Sequence, residues 1–154
     1  MSLVLTFLKS RELFNWDPKL ETGIDIIDTQ HKYIFETARK LVDAAATEKS
    51  KMATVKALDF LTDYVVQHFR DEEKLQAQYK YPNFVEHRRK HDEFKDRVVA
   101  FSEKVNKDGI VNHVMDELCT IVSAWLYSHI KGDDFRLAAF IKAANAKAKE
   151  NPKV

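Results

Sequence analysis

The chain contains 154 residues and carries a formal net charge of +1, so it is long enough for one domain with a substantial core and too short for two. Hydrophobic residues make up 45% of the sequence and charged residues 32%. This balance is that of a water-soluble globular domain, and it lacks the basic surplus of a nucleic-acid-binding protein. With only 3 Gly and 3 Pro, few positions favour turns, and long helices joined by short loops are expected.

Cys119 is the single cysteine of the chain, so it cannot form an internal disulfide and gives no sign of an oxidising compartment. Its position beside Leu118 in an apolar helical stretch predicts a packed, small hydrophobic side chain. The apolar run over residues 3–8 is too short to cross a membrane and lacks a preceding basic region. We therefore expect a cytoplasmic protein that contacts neither membrane nor nucleic acid, and the sequence leaves open whether this run covers part of the fold.

The predicted elements begin with an N-terminal arm over residues 1–22, whose pattern around Trp16 and Pro18 is not helical. A first long helix is expected over residues 25–46, where apolar residues recur with helical spacing.

A second long helix is expected to run from a cap at Ser50 to residue 79. The segment Tyr81-Pro82-Asn83 interrupts the helical pattern because proline cannot continue a helix. Asn83 can then cap a third helix, which is expected to end near residue 106.

The last part of the chain starts with a turn at Asp108-Gly109. A fourth long helix is predicted over residues 111–130, with Gly132 ending it. A shorter amphipathic segment over residues 133–146 follows, and residues 147–154 form a polar, lysine-rich tail.

Each of the four long helices carries apolar residues at alternating three- and four-residue spacing, which is the pattern of a bundle core. Five imidazoles and one carboxylate stand on these stripes at positions that leucine would normally fill: His31, His68, Glu72, His87, His91 and His129. Such groups are costly to bury unless they are partnered. So many of them in one core predict a shared partner, and a metal centre is the simplest one.

Short loops between consecutive helices favour an antiparallel up-down-up-down four-helix bundle, an all-α fold with an N-terminal arm and a short C-terminal helix. In this topology the first and third helices start at the end of the bundle where the second and fourth finish. His31 lies near the start of the first helix and His129 in the last turn of the fourth. With a rise of about 1.5 Å per residue, all six polar residues are expected to converge in one layer.

Four of these residues form two pairs at i,i+4 spacing, a spacing that lets two side chains of one helix reach a single ion. The pairs are His68 with Glu72 and His87 with His91. One such pair is weak evidence for a metal site. Two pairs on neighbouring helices, with a histidine on each of the other two, are strong evidence.

Other polar residues near this set are less clearly placed by the sequence. Asp134 falls beyond the expected helix end, so periodicity alone does not select it, although a bend at Gly132 can turn its carboxylate inward. Glu73 is expected to be exposed or to lie just outside the metal ligands. His113 lies off the apolar stripe and is expected at the surface.

Several segments together resemble the hemerythrin family, especially its bacterial members. The matching motifs are Gly23-Ile24-Asp25 with Asp28, Gln30 and His31; His68-Phe69-Arg70-Asp71-Glu72-Glu73; the Tyr81-Pro82 break; His87 and His91 four apart; Trp125-Leu126 before His129-Ile130; and Asp134. The resemblance extends from about residue 16 to residue 140 and fills every metal-ligand position. The whole chain, residues 1–154, is therefore expected to be one hemerythrin-like domain.

This resemblance implies a non-haem centre of two iron ions, bridged by carboxylates and by an oxo or hydroxo group. By analogy, one iron is held by His87, His91 and His129, the other by His31 and His68, and both by Glu72 and Asp134. Two six-coordinate ions offer about twelve positions. Five imidazoles, two bridging carboxylates and a shared oxygen atom fill all but one, which lies on the iron with two histidines.

The expected function is reversible O2 binding, serving oxygen carriage, storage or delivery, and not an enzymatic activity. Imidazoles dominate the ligand set, whereas ferritin-like di-iron sites rely on four carboxylates. Less negative charge is therefore available here to stabilise high-valent iron. One alternative is a domain that senses oxygen or redox state, and another is a di-iron oxidase or iron-handling protein. The expected partners are O2 and an unidentified oxygen-consuming protein or reductase.

The resemblance also implies an apolar pocket around the open position, which would exclude water. Its expected members are Ile34, Phe69, Trp125, Leu126 and Ile130. The chain departs from the family at two positions: Gln76 stands where methionine is frequent, and Leu137 where tyrosine is frequent. These differences leave metal binding intact but bear on oxidation rate and ligand access.

Overall fold

The computed structural model describes residues 3–46, 51–108 and 112–150, and these ranges contain helices without any strand. The α-helices are α1 (Leu3–Glu12), α2 (Asp25–Ala46), α3 (Lys51–Gln78), α4 (Phe84–Asp108), α5 (Asn112–His129) and α6 (Phe135–Glu150). Helices α2 and α3, α3 and α4, and α4 and α5 pack as consecutive neighbours. The predicted all-α, antiparallel four-helix bundle is confirmed, with α2 to α5 as its long helices.

The N-terminal arm differs from the expectation because much of it is helical. Helix α1 packs against α2 and α5, and a short 3-10 turn follows at Pro18–Leu20. Ser10 on α1 donates a hydrogen bond to Asp116 on α5, with 3.2 Å between Oγ and Oδ1. Residues 3–8 are almost continuously apolar and residues 9–12 are polar, so the sequence of this segment shows no clear helical period and did not predict the helix.

Two side chains test the predictions made for apolar segments. Cys119 is buried in the core, as predicted, and burial raises the pKa of its thiol to about 11. In the run over residues 3–8, Leu8 is the member whose side chain is described, and it is 53% exposed. Leu8 is therefore not buried against the bundle.

Asp28 fixes the start of α2 and is itself buried. Its Oδ1 accepts hydrogen bonds from the backbone N–H and the hydroxyl of Thr22, at 2.7 and 2.8 Å, and its Oδ2 accepts from the N–H of Gly23 at 2.9 Å. Gly23 has a φ of +79°, a left-handed conformation that glycine adopts without steric cost. These contacts set where α2 begins and hence the height of His31 in the bundle.

The predicted break between α3 and α4 is present. Lys80 has a φ of 52°, and the Tyr81 N–H donates back to the Gln76 carbonyl at 2.8 Å. The His87 N–H donates to the Asn83 carbonyl at 3.0 Å, so α4 is established within one turn of the break. This tight connection places the end of α3 beside the start of α4.

No helix break occurs at Gly132, and the predicted helix end at this residue is wrong. A π-helical turn, Ile130–Asp134, joins α5 directly to α6, and the Phe135 N–H donates to the Ile130 carbonyl five residues earlier. Gly132 does not have a left-handed φ. An added Cβ there would meet nothing nearer than a side-chain nitrogen of Arg136 at 3.9 Å, so the turn does not depend on glycine.

Three further predictions concern the chain ends and loops. Helix α6 continues through residues 147–150, which were expected to be polar tail. Ser50, Gly109 and residues 151–154 lie outside the described residues, as does the side chain of His113. Among the helices that the structure describes, none has the length and apolar composition that would let it cross a bilayer.

The buried apolar side chains of the described residues form two clusters. The larger includes Ile34, Phe69 and Leu126, and the smaller consists of Ile27, Tyr81, Leu137 and Ile141. On α2, Ile34 follows His31 by one turn, and Ile27 precedes it by one turn. The candidate ligands therefore occupy a polar layer between the two clusters, near one end of the bundle.

Candidate metal centre

All seven candidate ligands are buried in the polar layer, and none is more than 4% exposed. They come from the four long helices and from the π-helical turn: His31, His68, Glu72, His87, His91, His129 and Asp134. The structure brings together every ligand position that the sequence predicted. Their donor atoms fall into two overlapping groups.

The first group gathers three imidazoles from α4 and α5. His129 Nε2 lies 3.0 Å from both His87 Nε2 and His91 Nε2. Glu72 Oε2 lies 3.1 Å from His91 Nε2, and Asp134 Oδ1 lies 3.1 Å from His129 Nε2. The five ligand atoms of this group all lie within 4.8 Å of one another.

The second group consists of His31 and His68 with the same two carboxylates, Glu72 and Asp134. His31 Nε2 lies 3.2 Å from Asp134 Oδ2, while the other oxygen of that carboxylate faces the first group. The rings of His31 and His68 are 4.8 Å apart between centroids. Both carboxylates are thus shared between two sets of imidazoles.

This donor set fits a metal better than it fits hydrogen bonding. A single N–H on His129 Nε2 cannot serve two imidazole nitrogens 3.0 Å away at once. Two ligand atoms about 2.1 Å from an ion and at right angles to each other lie about 3.0 Å apart, the spacing seen here. Both oxygens of Glu72 and of Asp134 are buried without a hydrogen-bond partner, and a cation would satisfy them.

The pKa values of the two carboxylates in the polar layer also favour a bound cation. Burial opposes ionisation of Glu72, but the close contacts of its carboxylate with His87 and His91 and the attraction of His68 outweigh burial and lower the pKa of Glu72 to about 2. Burial likewise opposes ionisation of Asp134, and contacts with His129 and other imidazoles hold its pKa well below the usual range. Two ionised carboxylates therefore lie in the core and require compensating positive charge.

Protons supply part of that charge when no metal is bound. Burial alone would lower the pKa of His87 and of His129, but the neighbouring carboxylates raise these pKa values to about 9 and about 10. His68 differs, since burial outweighs the attraction of Glu72 and lowers its pKa to about 4. Protonation of His87 and His129 offsets charge of the two carboxylates, and a metal would replace protons on these rings.

Three of the imidazoles contact a polar side chain through Nδ1, the ring nitrogen opposite the one that faces the other ligands. Gln30 Oε1 lies 2.8 Å from His68 Nδ1, Glu73 Oε1 lies 3.1 Å from His91 Nδ1, and Asp133 Oδ2 lies 3.3 Å from His129 Nδ1. Partners of this kind orient a ligating imidazole and leave its Nε2 free for metal.

The sequence placed Glu73 only loosely and gave no such role to Gln30 or Asp133. Glu73 and Asp133 each adjoin a predicted carboxylate ligand in the chain. Asp133 also accepts from Lys90 Nζ at 2.8 Å, so its pKa is held below its usual range by His129 and Lys90 despite burial. The signal that could have identified Glu73 and Asp133 is that each stands directly beside a predicted carboxylate ligand.

The π-helical turn places Asp134 in the layer. In a regular α-helix, a residue five positions after His129 faces a different side, whereas i→i+5 bonding widens the turn and brings it round. Asp134 Oδ1 consequently lies near both His129 and His87. This local geometry, rather than a bend at Gly132, turns the carboxylate inward.

Two of the predicted pocket residues, Phe69 and Trp125, stack on imidazoles of the polar layer. Phe69 stacks on His91 with ring centroids 3.9 Å apart, and Trp125 stacks on His129 at 4.3 Å. Four of the five are buried in the larger apolar cluster, and Trp125 packs partly buried against it; the five are Ile34, Phe69, Trp125, Leu126 and Ile130. The aromatic rings thus form an apolar wall on one side of the polar layer.

The two positions that depart from the family are both fully buried. Leu137 belongs to the smaller apolar cluster. Gln76 lies one helical turn beyond Glu72 on α3, and its side-chain Nε2 and Oε1 have no hydrogen-bond partner.

The chain resembles known proteins over the segment that contains the polar layer. Residues 22–141 match the family model for the hemerythrin HHE cation binding domain. A bacteriohemerythrin of Stenotrophomonas maltophilia (strain R551-3) is 36% identical over 131 residues, which cover 85% of this chain and 83% of the relative. A bacteriohemerythrin of Pseudomonas aeruginosa (strain LESB58) is 35% identical over 119 residues, covering 77% and 75% of the two chains.

One solved structure is also similar, the crystal structure of a leucine-to-phenylalanine mutant. It matches with a TM-score of 0.73 and 31% sequence identity, covering 81% of this chain and 94% of the other. The likeness thus extends from sequence to three-dimensional fold.

Proposed function

The chain belongs to the hemerythrin family, and on this basis we propose that it binds O2 reversibly at a centre of two non-haem irons. The observation that carries the proposal is the sharing of Glu72 and Asp134 by the two donor groups. Carboxylates common to two sets of imidazoles are the arrangement that a bridged pair of ions requires. The irons, when bound, supply the two electrons that reversible O2 binding draws on.

The donor groups support one assignment of ligands. His87, His91 and His129 would hold one iron and His31 and His68 the other, with Glu72 and Asp134 bridging both. Asp134 presents Oδ1 to His129 and Oδ2 to His31, at 3.1 and 3.2 Å between the respective atoms, as a bridging carboxylate would. An oxo or hydroxo group would complete the bridge.

The unequal number of histidines leaves room for a ligand. Two six-coordinate ions have about twelve positions, and the five imidazoles, two carboxylates and one shared oxygen account for eleven. The free position would belong to the iron held by His31 and His68. Ile34 lies one turn from His31 on α2 and is fully buried, so an apolar side chain stands beside the ligands of this iron.

The residues around the site would favour binding over turnover. Phe69, Leu126 and Ile130 are at most 3% exposed, and such a dry wall keeps out the water and protons that promote oxidation of the metal. Imidazoles outnumber carboxylates, so little negative charge is available to stabilise high-valent iron. We therefore assign the chain an oxygen-carrying, storing or delivering role rather than an enzymatic one.

A role of this kind implies a partner. An oxygen-consuming protein would receive the O2, and a reductase would return oxidised iron to the ferrous state.

Cycling between air and argon tests this function. The chain is loaded with Fe(II) under argon, exposed to air, and returned to argon while its optical spectrum is followed. We expect an absorption band that appears in air, disappears in argon and returns over repeated cycles. Continuous O2 consumption in the presence of a reductant, with product released at each turnover, would instead favour an oxidase. A band that never reverses would contradict reversible binding.

A further inference from the structure

Gln76 presents a buried amide that the polar layer as described so far does not use. The residue is 0% exposed, and both Nε2 and Oε1 lack a hydrogen-bond partner. Native proteins rarely keep a buried amide unpaired, because it has lost its water and gained nothing in exchange. An exception of this kind next to a candidate metal centre indicates a partner that is present only when the centre is loaded.

The geometry of α3 directs this amide toward Glu72. The two residues are four positions apart on one helical face, where side chains are neighbours. Helical side chains lean toward the N-terminus and cover the preceding turn, so Glu72 is the residue that the amide of Gln76 is expected to reach. Both carboxylate oxygens of Glu72 are likewise without a hydrogen-bond partner.

Other unpaired atoms of the layer are less suitable partners. They are His31 Nδ1, His87 Nδ1 and the two oxygens of Asp134, and they lie on elements other than α3. None has the fixed i,i+4 relation to Gln76 that Glu72 has. The donor Nε2 and the acceptor carboxylate are also chemically matched, since amide N–H groups bond strongly to charged oxygens.

The same layer already contains a glutamine that performs a comparable task. Gln30 Oε1 accepts a hydrogen bond from His68 Nδ1 at 2.8 Å, and Gln30 Nε2 donates to Asp71 Oδ2 at 3.0 Å. Since an amide oxygen only accepts, the proton of this bond lies on His68 Nδ1. Gln30 thereby orients one ligand, and Gln76 occupies a comparable position next to another.

We infer that Gln76 is a positioning residue for Glu72, donating an Nε2–H hydrogen bond to the carboxylate when the metal ions are bound. The inference rests on the proposed bridging role of Glu72. The hydrogen bond fixes the carboxylate orientation and withdraws electron density from it, so the bridge becomes a weaker donor to oxidised iron. Gln76 then favours the ferrous state, the state that takes up O2.

Gln76→Met tests this inference, because methionine fills a similar space with a flexible side chain but offers no N–H. Gln78→Met is the matched control, since Gln78 is exposed on the same helix two residues later. Gln76→Leu serves as a second apolar variant. For each protein, one measures urea unfolding of the metal-free chain, Fe(II) affinity under argon, and the midpoint potential of the loaded centre.

The substitution Gln76→Met is expected to preserve or raise the stability of the metal-free chain but to weaken the iron centre of the loaded protein. Without metal, Gln76→Met should be as stable as the wild type or more stable, because an unpaired amide has been removed. Fe(II) should bind roughly tenfold more weakly, as is common when a partner of a metal ligand is lost. The midpoint potential should fall. Gln78→Met should change none of these quantities.

Several outcomes would overturn the inference. Unchanged Fe(II) affinity and midpoint potential in both Gln76 variants would show that the amide does not act on the centre. Marked destabilisation or failure to fold of both metal-free variants would show that the amide has its partner in the absence of metal. A wild-type chain that binds fewer than two irons would instead refute the proposed di-iron centre, so the two failures are distinguishable.

Discussion

Asp134 and His129 are five residues apart in the chain, yet Asp134 Oδ1 lies 3.1 Å from His129 Nε2. The π-helical turn between α5 and α6 makes this possible by bonding each residue to one five positions away. Insertions of this kind are rare and concentrate at functional sites. Here the turn delivers a carboxylate to a layer that α2 to α5 otherwise fill with imidazoles.

Gly132→Ala tests whether this turn depends on glycine. Gly132 has no left-handed φ and has space for a Cβ, so alanine should stabilise the helical turn by about 0.5–1 kcal/mol. Urea unfolding measures the change, and iron content should stay at the wild-type value. Loss of iron in this variant would show that glycine itself shapes the site.

Glu72→Ala should abolish the paired centre, because it removes one bridge and its negative charge from a buried site. Elemental analysis after anaerobic loading would then find fewer than two irons per chain. Glu103→Ala is the control, since Glu103 is an exposed glutamate on α4 and should leave the iron content unchanged. Retention of two irons by Glu72→Ala would refute the bridging role.

Metal loading should release protons at neutral pH. The pKa values of His87 and His129 are raised to about 9 and about 10 in the metal-free chain, so both rings are protonated and must lose a proton to bind metal. Roughly two protons per chain are expected from them, measured by calorimetry in buffers of different ionisation enthalpy. Release of none would mean that the rings are already neutral.

The same pKa shifts set how the stability of the metal-free chain depends on pH. Because the folded-state pKa values lie above the ordinary value of 6.5, this stabilisation is complete below pH 6.5. It is lost as the pH rises through about 9 to 10. Urea unfolding of the metal-free chain across this range should show decreasing stability, and a rising stability would contradict the assignment of charge.

Leu126→Ala should speed the oxidation of the loaded centre in air by admitting water to the apolar wall. Leu118→Ala is the matched control, because Leu118 is a similarly buried residue two turns earlier on α5. Each variant should lose about 2–5 kcal/mol of stability through its cavity, but only Leu126→Ala should oxidise faster. Equal oxidation rates, followed optically, would count against a shielding role for this side chain.

The four-helix bundle could be predicted from the sequence because the spacing of apolar residues within each helix is a local feature of the chain. Apolar stripes with helical spacing gave α2 to α5, and the histidines on those stripes lie in one layer, since an antiparallel bundle brings alternate helix ends together. Asp134 was obtainable only from family resemblance, because a π-helical turn breaks the 3.6-residue period on which sequence reasoning relies.

The predictions that were wrong or incomplete also have physical explanations. Glycine commonly ends helices, so Gly132 suggested a break, although the backbone there continues with i→i+5 bonding. Helix α1 lacks a single apolar stripe and is held by contacts distant in sequence, such as Ser10 with Asp116. The supporting roles of Glu73 and Asp133 depend on which imidazole nitrogen each side chain reaches, which spacing alone does not specify.

Anomalous diffraction at the iron edge, from crystals of the loaded protein, tests the central claim most directly. Two iron peaks about 3.5–4 Å apart are expected, one near His87, His91 and His129 and the other near His31 and His68, with Glu72 and Asp134 between them. A single peak, or iron bound elsewhere on the chain, would contradict the shared-carboxylate centre.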